Sequence, residues 1–157
     1  MDQAYNTQFV HLRDMAAKVG EEIGLTDWFE ITQERIDQFA EATGDPQWIH
    51  TDPERAAKES PYGKTIAHGF LVLSLASKFA YEAYQVDDAV MGINYGLDKV
   101  RFPNATPVDA LLRARVSLME FGMEDKTARF KLKMVFELQG QSKPACVAEF
   151  IALAVCG

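Results

Sequence analysis

The chain has 157 residues, 48% of them hydrophobic, and carries a net charge of −7 from 16 basic and 23 acidic side chains. That length fits one domain with a sizeable core, and that hydrophobic share excludes disorder of the whole chain. The acidic balance argues against nucleic acid or an anionic membrane as the main partner, while a few local cations could still hold an anionic ligand.

Residues 1–20 predict a helix, because Phe9, Leu12, Met15, Ala16 and Val19 recur at helical spacing and Gly20 can end it. Gly24 to Thr32 reads as a short extended piece, since Trp28, Phe29 and Ile31 favour strand. Thr32 then caps a second helix with Ile36, Phe39 and Ala40 on its apolar face, and Gly44 stops it. From Gly44 to about Thr65 the chain is punctuated by Pro46, Pro53, Pro61 and Gly63. Within that connection, Asp52-Pro53 predicts a cap, a proline at the first helical position and one or two helical turns. A connection of this length inside a compact domain is usually functional.

Ile66 to Tyr84 has no proline and only one glycine, Gly69, and Phe70, Leu71, Leu73, Leu75, Ala76, Phe79 and Ala80 leave it almost no polar stripe. A helix apolar nearly all round is buried on most sides, so about 66–84 predicts a central helix that a larger layer encloses. The C-terminal half supplies that layer. Met91 to Phe102 is extended, with Gly92 and Gly96 as bulge sites; Leu111 to Glu120 and Phe130 to Leu138 alternate apolar with charged residues, and Phe121 to Lys126 reads as the turn between them. Cys146 to Cys156 is almost continuously apolar, which predicts a strand covered on both faces. Strands in a row joined by short turns are antiparallel, and one buried helix before them gives an α+β fold with the sheet wrapped around the helix.

Ten residues of strand span about 33 Å, so Cys146 and Cys156 cannot form a disulfide that needs Cα atoms within about 7 Å. No Cys-x-x-Cys and no secretory leader is read, so the expected compartment is the cytoplasm. No uninterrupted apolar run of about 18 residues predicts a membrane span.

The chemistry centres on Gly44-Asp45-Pro46-Gln47-Trp48-Ile49-His50, where a carboxylate and an imidazole stand five residues apart in a segment that Pro46 keeps from continuing the helix. Either the bent loop brings Asp45 and His50 onto one water molecule for general acid/base work, or Asp45 caps a turn and His50 packs in the loop. Gly69 stands where the central helix starts; its N–H either takes up developing negative charge as an oxyanion-hole donor, or the glycine lets the loop pass close to the helix end. Ser77, eight residues on, lies on roughly the same face and either bonds a catalytic side chain or bonds back to its own backbone. Lys99 and Arg101 are better read as a solvated face than as phosphate ligands. The three histidines do not predict a metal set, because His11 is distant and His50 and His68 lack a third partner at zinc-like spacing.

Taken together, the stretch from Phe39 through Gly44, Asp45 and His50, the Asp52-Pro53-Glu54-Arg55-Ala56 run, Ile66-Ala67-His68-Gly69-Phe70, Asn94-Tyr95-Gly96 and Val100-Arg101-Phe102-Pro103 resembles the MaoC-like, (R)-specific enoyl-CoA hydratase family with the hot-dog fold. The resemblance spans roughly residues 25–155 and is nearest to single-hot-dog bacterial members, here with an N-terminal helical extension of about 1–24. It implies that Asp45 and His50 hold a water that adds across the double bond of a trans-2-enoyl-CoA, giving a (3R)-3-hydroxyacyl-CoA. Gly69 would polarise the thioester carbonyl, and Ser77 matches a position that supports the catalytic pair. Gln47 and Trp48 stand where the family commonly has Asn and Pro, so Gln47 takes the place of an Asn that positions the water or the loop. The resemblance implies no metal and no cofactor beyond the coenzyme A of the substrate, and a homodimer joined sheet edge to sheet edge. Two other readings share the scaffold. One is an acyl-CoA thioesterase, which generally places a carboxylate on or near the central helix, where this chain offers only Glu82. The other is a non-catalytic acyl-thioester binder.

Overall fold

In the computed structural model, which describes residues 2–157, a six-stranded antiparallel sheet curls around one helical segment. Its long strands are β5 (Ala89–Arg101), β6 (Leu111–Glu124), β7 (Thr127–Leu138) and β8 (Cys146–Cys156). Two short strands, β2 (Glu22–Leu25) and β3 (Phe29–Glu30), share the outer edge of β6, so the order is β2-β6-β7-β8-β5 with β3 also on β6. Period-two patterning decides which face is buried. Leu112, Ala114, Val116 and Leu118 of β6 and Phe130, Leu132, Met134 and Phe136 of β7 point into the core. The opposite face is held by cross-strand ion pairs such as Arg113 with Glu137 at 2.8 Å.

The strands β6 and β7 run further than their sequence predicts. A register shift between Leu118 and Glu120 moves the alternation by one residue, and Phe121 and Met123 pair with Phe130 and Ala128, so the turn shrinks to Asp125 and Lys126, with Asp125 in the left-handed region at φ 52°. In β8 only one face closes fully: Cys146, Ala148 and Ala154 are buried, while Val147, Ile151, Leu153 and Val155 are half-buried. The expectation of two covered faces is not met, because the helix lies on one side only.

The central segment is two helices in series, α4 (Gly69–Ser74) and α5 (Ala76–Ala83), joined at Leu75, whose φ −67° and ψ −8° tighten one turn. It begins later than residue 66 because Ile66 bridges to Pro107 and the Ala67 N–H donates to the Thr106 carbonyl. Leu71, Val72, Leu75, Ala76, Phe79 and Ala83 face the sheet. Phe70 and Tyr81 are 71% and 81% exposed, so the segment is enclosed on one side rather than all round.

The N-terminal residues do not form the predicted α-helix. They form β1 (Thr7–Phe9), which pairs in parallel with β4 (Tyr84–Val86), and then a 3-10 helix (Leu12–Lys18). A 3-10 helix repeats every three residues, and Phe9, Leu12 and Met15 are the buried set. Ala16 and Val19, which a 3.6-residue period would also bury, are exposed.

The helix before the site matches its sequence signals. In α1 (Gln33–Thr43) the Thr32 hydroxyl accepts from the Arg35 N–H, and Gly44 ends it at φ 73°. A single turn, α2 (Trp48–Thr51), follows, then α3 (Pro53–Glu59), capped by Asp52.

Candidate active site

Three short pieces of chain converge at the open end of the central segment. Asp45 leaves α1 with its N–H on the Ala40 carbonyl at 3.0 Å, and Pro46 bends the chain so that the turn α2 can start. That turn carries His50 inward to 7% exposure. The strap Thr65–His68 then passes behind it, with the Ile66 N–H on the Ile49 carbonyl at 3.0 Å.

The His50 ring is fixed by a bond of 2.7 Å from Nδ1 to the Ile66 carbonyl. A carbonyl only accepts, so Nδ1 carries the hydrogen and Nε2 is left with its lone pair. The His50 carbonyl in turn accepts from Gln33 Nε2 at 2.7 Å, and Gln33 Oε1 accepts from the Thr65 hydroxyl. Burial pushes the imidazole below its ordinary pKa of 6.5; the Ile66 bond works against that, His68 adds to it and the Asp45 charge opposes it.

The Asp45 carboxylate is 52% exposed, and its one side-chain hydrogen bond among the described residues is a long one, 3.4 Å from the Gln47 N–H. One nitrogen or oxygen from each of Asp45, His50 and His68 lies within 4.8 Å of the others. The loop therefore brings the predicted pair together, and it adds a third group that spacing alone did not reveal. The sequence spacing led to the expectation that His50 and His68 lack a third partner; in the fold a carboxylate oxygen stands near both. That expectation counted histidines along the sequence, whereas the bend at Pro46 turns a carboxylate toward them.

Gly69 is the first residue of α4, so its amide has no helical carbonyl to donate to. A Cβ there would stand 3.3 Å from the Phe102 ring. The close-packing reading of this glycine is thus met, and it leaves the donor reading open. Gln47 contributes backbone rather than side chain: its carbonyl accepts from the His50 N–H at 3.0 Å, and the side chain is exposed.

Among the described residues no hydrogen bond joins Ser77 to Asp45 or His50. Eight residues of α-helix are about 12 Å of rise and about 80° past two full turns, and the tightened turn at Leu75 intervenes. Ser77 lines a groove between α5 and the strands β5 and β8 instead. Lys99 and Arg101 are exposed on the edge strand, as the solvated-face reading has it. Glu82, the acid on the central segment, is paired with Lys78.

Known proteins with related sequences and folds bear on this arrangement. A family profile described as a MaoC like domain matches residues 14–137. The chain is 49% identical over 146 residues to 3-hydroxyacyl-thioester dehydratase Z of Mycobacterium tuberculosis, covering 91% of this chain and 95% of that protein. It is 39% identical over 144 residues to nodulation protein N of Rhizobium leguminosarum bv. viciae, covering 90% and 89%. The fold is that of R-hydratase PhaJ1 from Pseudomonas aeruginosa, with a TM-score of 0.73, 21% identity and coverage of 88% and 83%.

Proposed function

Since the chain belongs to the MaoC-like dehydratase family, we propose that Asp45 and His50 are the groups with which it adds water to a trans-2-enoyl-CoA. The enzyme is a hydro-lyase, an (R)-specific enoyl-CoA hydratase that also runs the reverse dehydration. The observation that carries the site assignment is the His50 tautomer: the Ile66 carbonyl claims Nδ1 and leaves Nε2 free as a base, on a ring that has a nitrogen within 4.8 Å of an Asp45 carboxylate oxygen. Water bound between them gives one proton to Nε2 as its oxygen bonds to C3. The electron pair of the double bond moves toward the thioester carbonyl, where the Gly69 N–H receives the developing charge. The imidazolium then returns that proton to C2, so one water supplies both added atoms to one face. Asp45 accepts a hydrogen bond from the water's second O–H, whose hydrogen stays on the new C3 hydroxyl, and it stabilises the imidazolium, while Gln47 shapes the turn through its backbone. No metal or redox cofactor enters this scheme, because the thioester itself delocalises the charge. The direct test is hydration of crotonyl-CoA with chiral assay of the product: (3R)-3-hydroxybutyryl-CoA is expected, and free thiol release without hydration would sink the reading.

The same base must be neutral to start in either direction. His50 stands below its ordinary 6.5, so its neutral form persists as the pH drops toward that lowered value, and activity is lost only below it. The acid limb of kcat/KM, for hydration and for dehydration alike, is expected under pH 6.5 when the profile is measured with crotonyl-CoA.

The acyl chain is assigned to the groove beside α5. Two cavities of about 340 and 440 Å³ adjoin there and share Ser77, Ala80, Tyr84, Asn94 and Ala152. Small side chains keep this path open, and Phe79 does not obstruct it, being packed into the core against Phe29 and Phe136. Ala80→Phe is expected to raise KM for long enoyl-CoAs and leave crotonyl-CoA unchanged. At about 0.8 kcal/mol per buried methylene, each methylene displaced costs about fourfold, which a chain-length panel reads directly.

The chain also fits a homodimer. Among the described residues β5 pairs on one side only, and Val90, Met91, Ile93, Tyr95 and Leu97 are exposed along it. A long apolar edge strand is a template for another strand, and a second copy supplies one. Ile93→Glu is expected to yield monomers in sedimentation, where the unaltered chain sediments as a dimer. The two free cysteines accord with a cytoplasmic location, and among the described residues no helix is long and apolar enough to cross a membrane.

A further inference from the structure

We propose that His68 is the positioning residue that sets the separation of Asp45 and His50, acting through contacts with both. The inference rests on the hydratase reading of that pair, but its geometry stands apart from any substrate.

His68 is 3% exposed. Its Nε2 donates to the main-chain carbonyl of Asp45 at 3.1 Å. Its ring lies flat against that of His50, with centroids 3.9 Å apart and planes at 25°. The Phe39 ring packs on it at 4.9 Å. One side chain thus holds the loop that carries the carboxylate and supports the face of the imidazole. Its other nitrogen, Nδ1, is buried and has no partner among the described residues. The ring's hydrogen bonding is therefore spent on the Asp45 loop and nowhere else.

That bond fixes the carbonyl end of Asp45, whose N–H is held by the Ala40 carbonyl, while the carboxylate itself is held by little. Asp45 is exposed, and its carboxylate has the 3.4 Å bond from the Gln47 N–H and a looser approach of 3.9 Å to His68 Nε2. His50, by contrast, is locked from Nδ1 and from its carbonyl. Two groups that must grip one water need a fixed distance, and a misplacement of about 1 Å can cost about 10²-fold in rate. His68 links the exposed partner to the buried one. It also bears on the charge of His50, since His68 and Asp45 are the titratable groups acting on that ring, His68 lowering its pKa and Asp45 raising it.

The test compares His68→Gln with His68→Asn. Both are amides of similar polarity, but only glutamine is long enough to place a nitrogen near Nε2 and keep the bond to the Asp45 carbonyl. Glutamine is expected to hold kcat within about tenfold of the unaltered enzyme, and asparagine to lose about 10²-fold in kcat at unchanged KM. In both variants the His50 ring, followed by NMR titration, is expected to move up toward its ordinary value as the neighbouring imidazole is removed. Equal kcat in the two variants, or a loss carried by KM, overturns the proposal, as does an unmoved His50 titration. Thermal melts of the two establish that both are folded, and His68→Leu, which loses the bond without adding a polar group, replaces asparagine if that variant melts early. The NMR readout needs no turnover. A protein that never hydrates enoyl-CoA would therefore refute the activity assignment while the coupling of His68 to His50 is still measured.

Discussion

Asp45→Asn lowers kcat for crotonyl-CoA hydration by about 10²–10⁴-fold, the range in which a positioned acid or base contributes, and leaves the melting temperature nearly unchanged. The two halves of that expectation have separate grounds. Asp45 is exposed and bonded only weakly through its side chain, so its charge supports little of the fold. An asparagine keeps the size and one acceptor oxygen but presents an NH2 group and no charge to balance an imidazolium. His50→Ala is expected to lose activity over the same range, with a stability cost as well. It strips the buried Ile66 carbonyl of its donor, and an unsatisfied buried acceptor costs about 1–3 kcal/mol. Asp45→Asn is therefore the cleaner probe of the chemistry. Hydration at the unaltered rate in a folded Asp45→Asn protein would falsify the shared-water arrangement.

The largest effect on stability is expected at a residue outside the site. Gly24 in β2 lies against the end of α5, and a Cβ there would fall 2.6 Å from the Cα and Cβ of Ala83 and closer still to its carbonyl oxygen. These are backbone atoms at the end of a buried helix, with no flexible side chain to swing aside. Gly24→Ala must push β2 off the helix or off its partner β6. Overpacking costs about 1–3 kcal/mol, and the upper end applies where backbone has to move. At about 2–4 °C per kcal/mol for a chain of this size, the melting temperature drops by about 6–12 °C. Gly122→Ala in β6 is the control: nothing stands within 4 Å of its Cβ position, so its melting temperature should match that of the unaltered protein.

What the sequence made legible follows the range of each signal. The strands of the C-terminal half were readable because alternation is local and the buried face follows directly from it. The caps at Thr32 and Asp52 and the stop at Gly44 were readable for the same reason. Asp45 and His50 were legible as a pair because both belong to one short bend. His68 was noticed only as the neighbour of Gly69, since its role lies in a ring-to-ring contact with His50 and a bond back to Asp45, 23 residues earlier. Ser77 lies in the groove beside α5, and the break at Leu75 is what a count of two turns from Gly69 does not anticipate. At the N-terminus the buried residues Phe9, Leu12 and Met15 recur at intervals of three. Phe9 belongs to β1, however, so the 3-10 helix itself buries only Leu12 and Met15, and one interval of three does not separate it from an α-helix. The exposed flank of the central segment, Phe70 and Tyr81, could not be anticipated from apolarity alone, because an apolar surface reads the same whether its cover comes from this chain or from another.

The order of the sheet also bears on how the protein comes off the ribosome. The strand β2 is made early, yet its partner β6 emerges some 90 residues later; Arg115 and Glu22, which bond across that seam, are 93 positions apart. The oily segment Gly69–Ala83 is likewise synthesised before any of the three strands β6, β7 and β8 that close over it. A nascent chain of about a hundred residues thus carries a sticky helix with no lid. Tight hairpins such as β6–β7 can form as soon as they are released, so folding is expected to start at that hairpin and sweep the earlier segments into place, with chaperone capture most useful in the interval before it does.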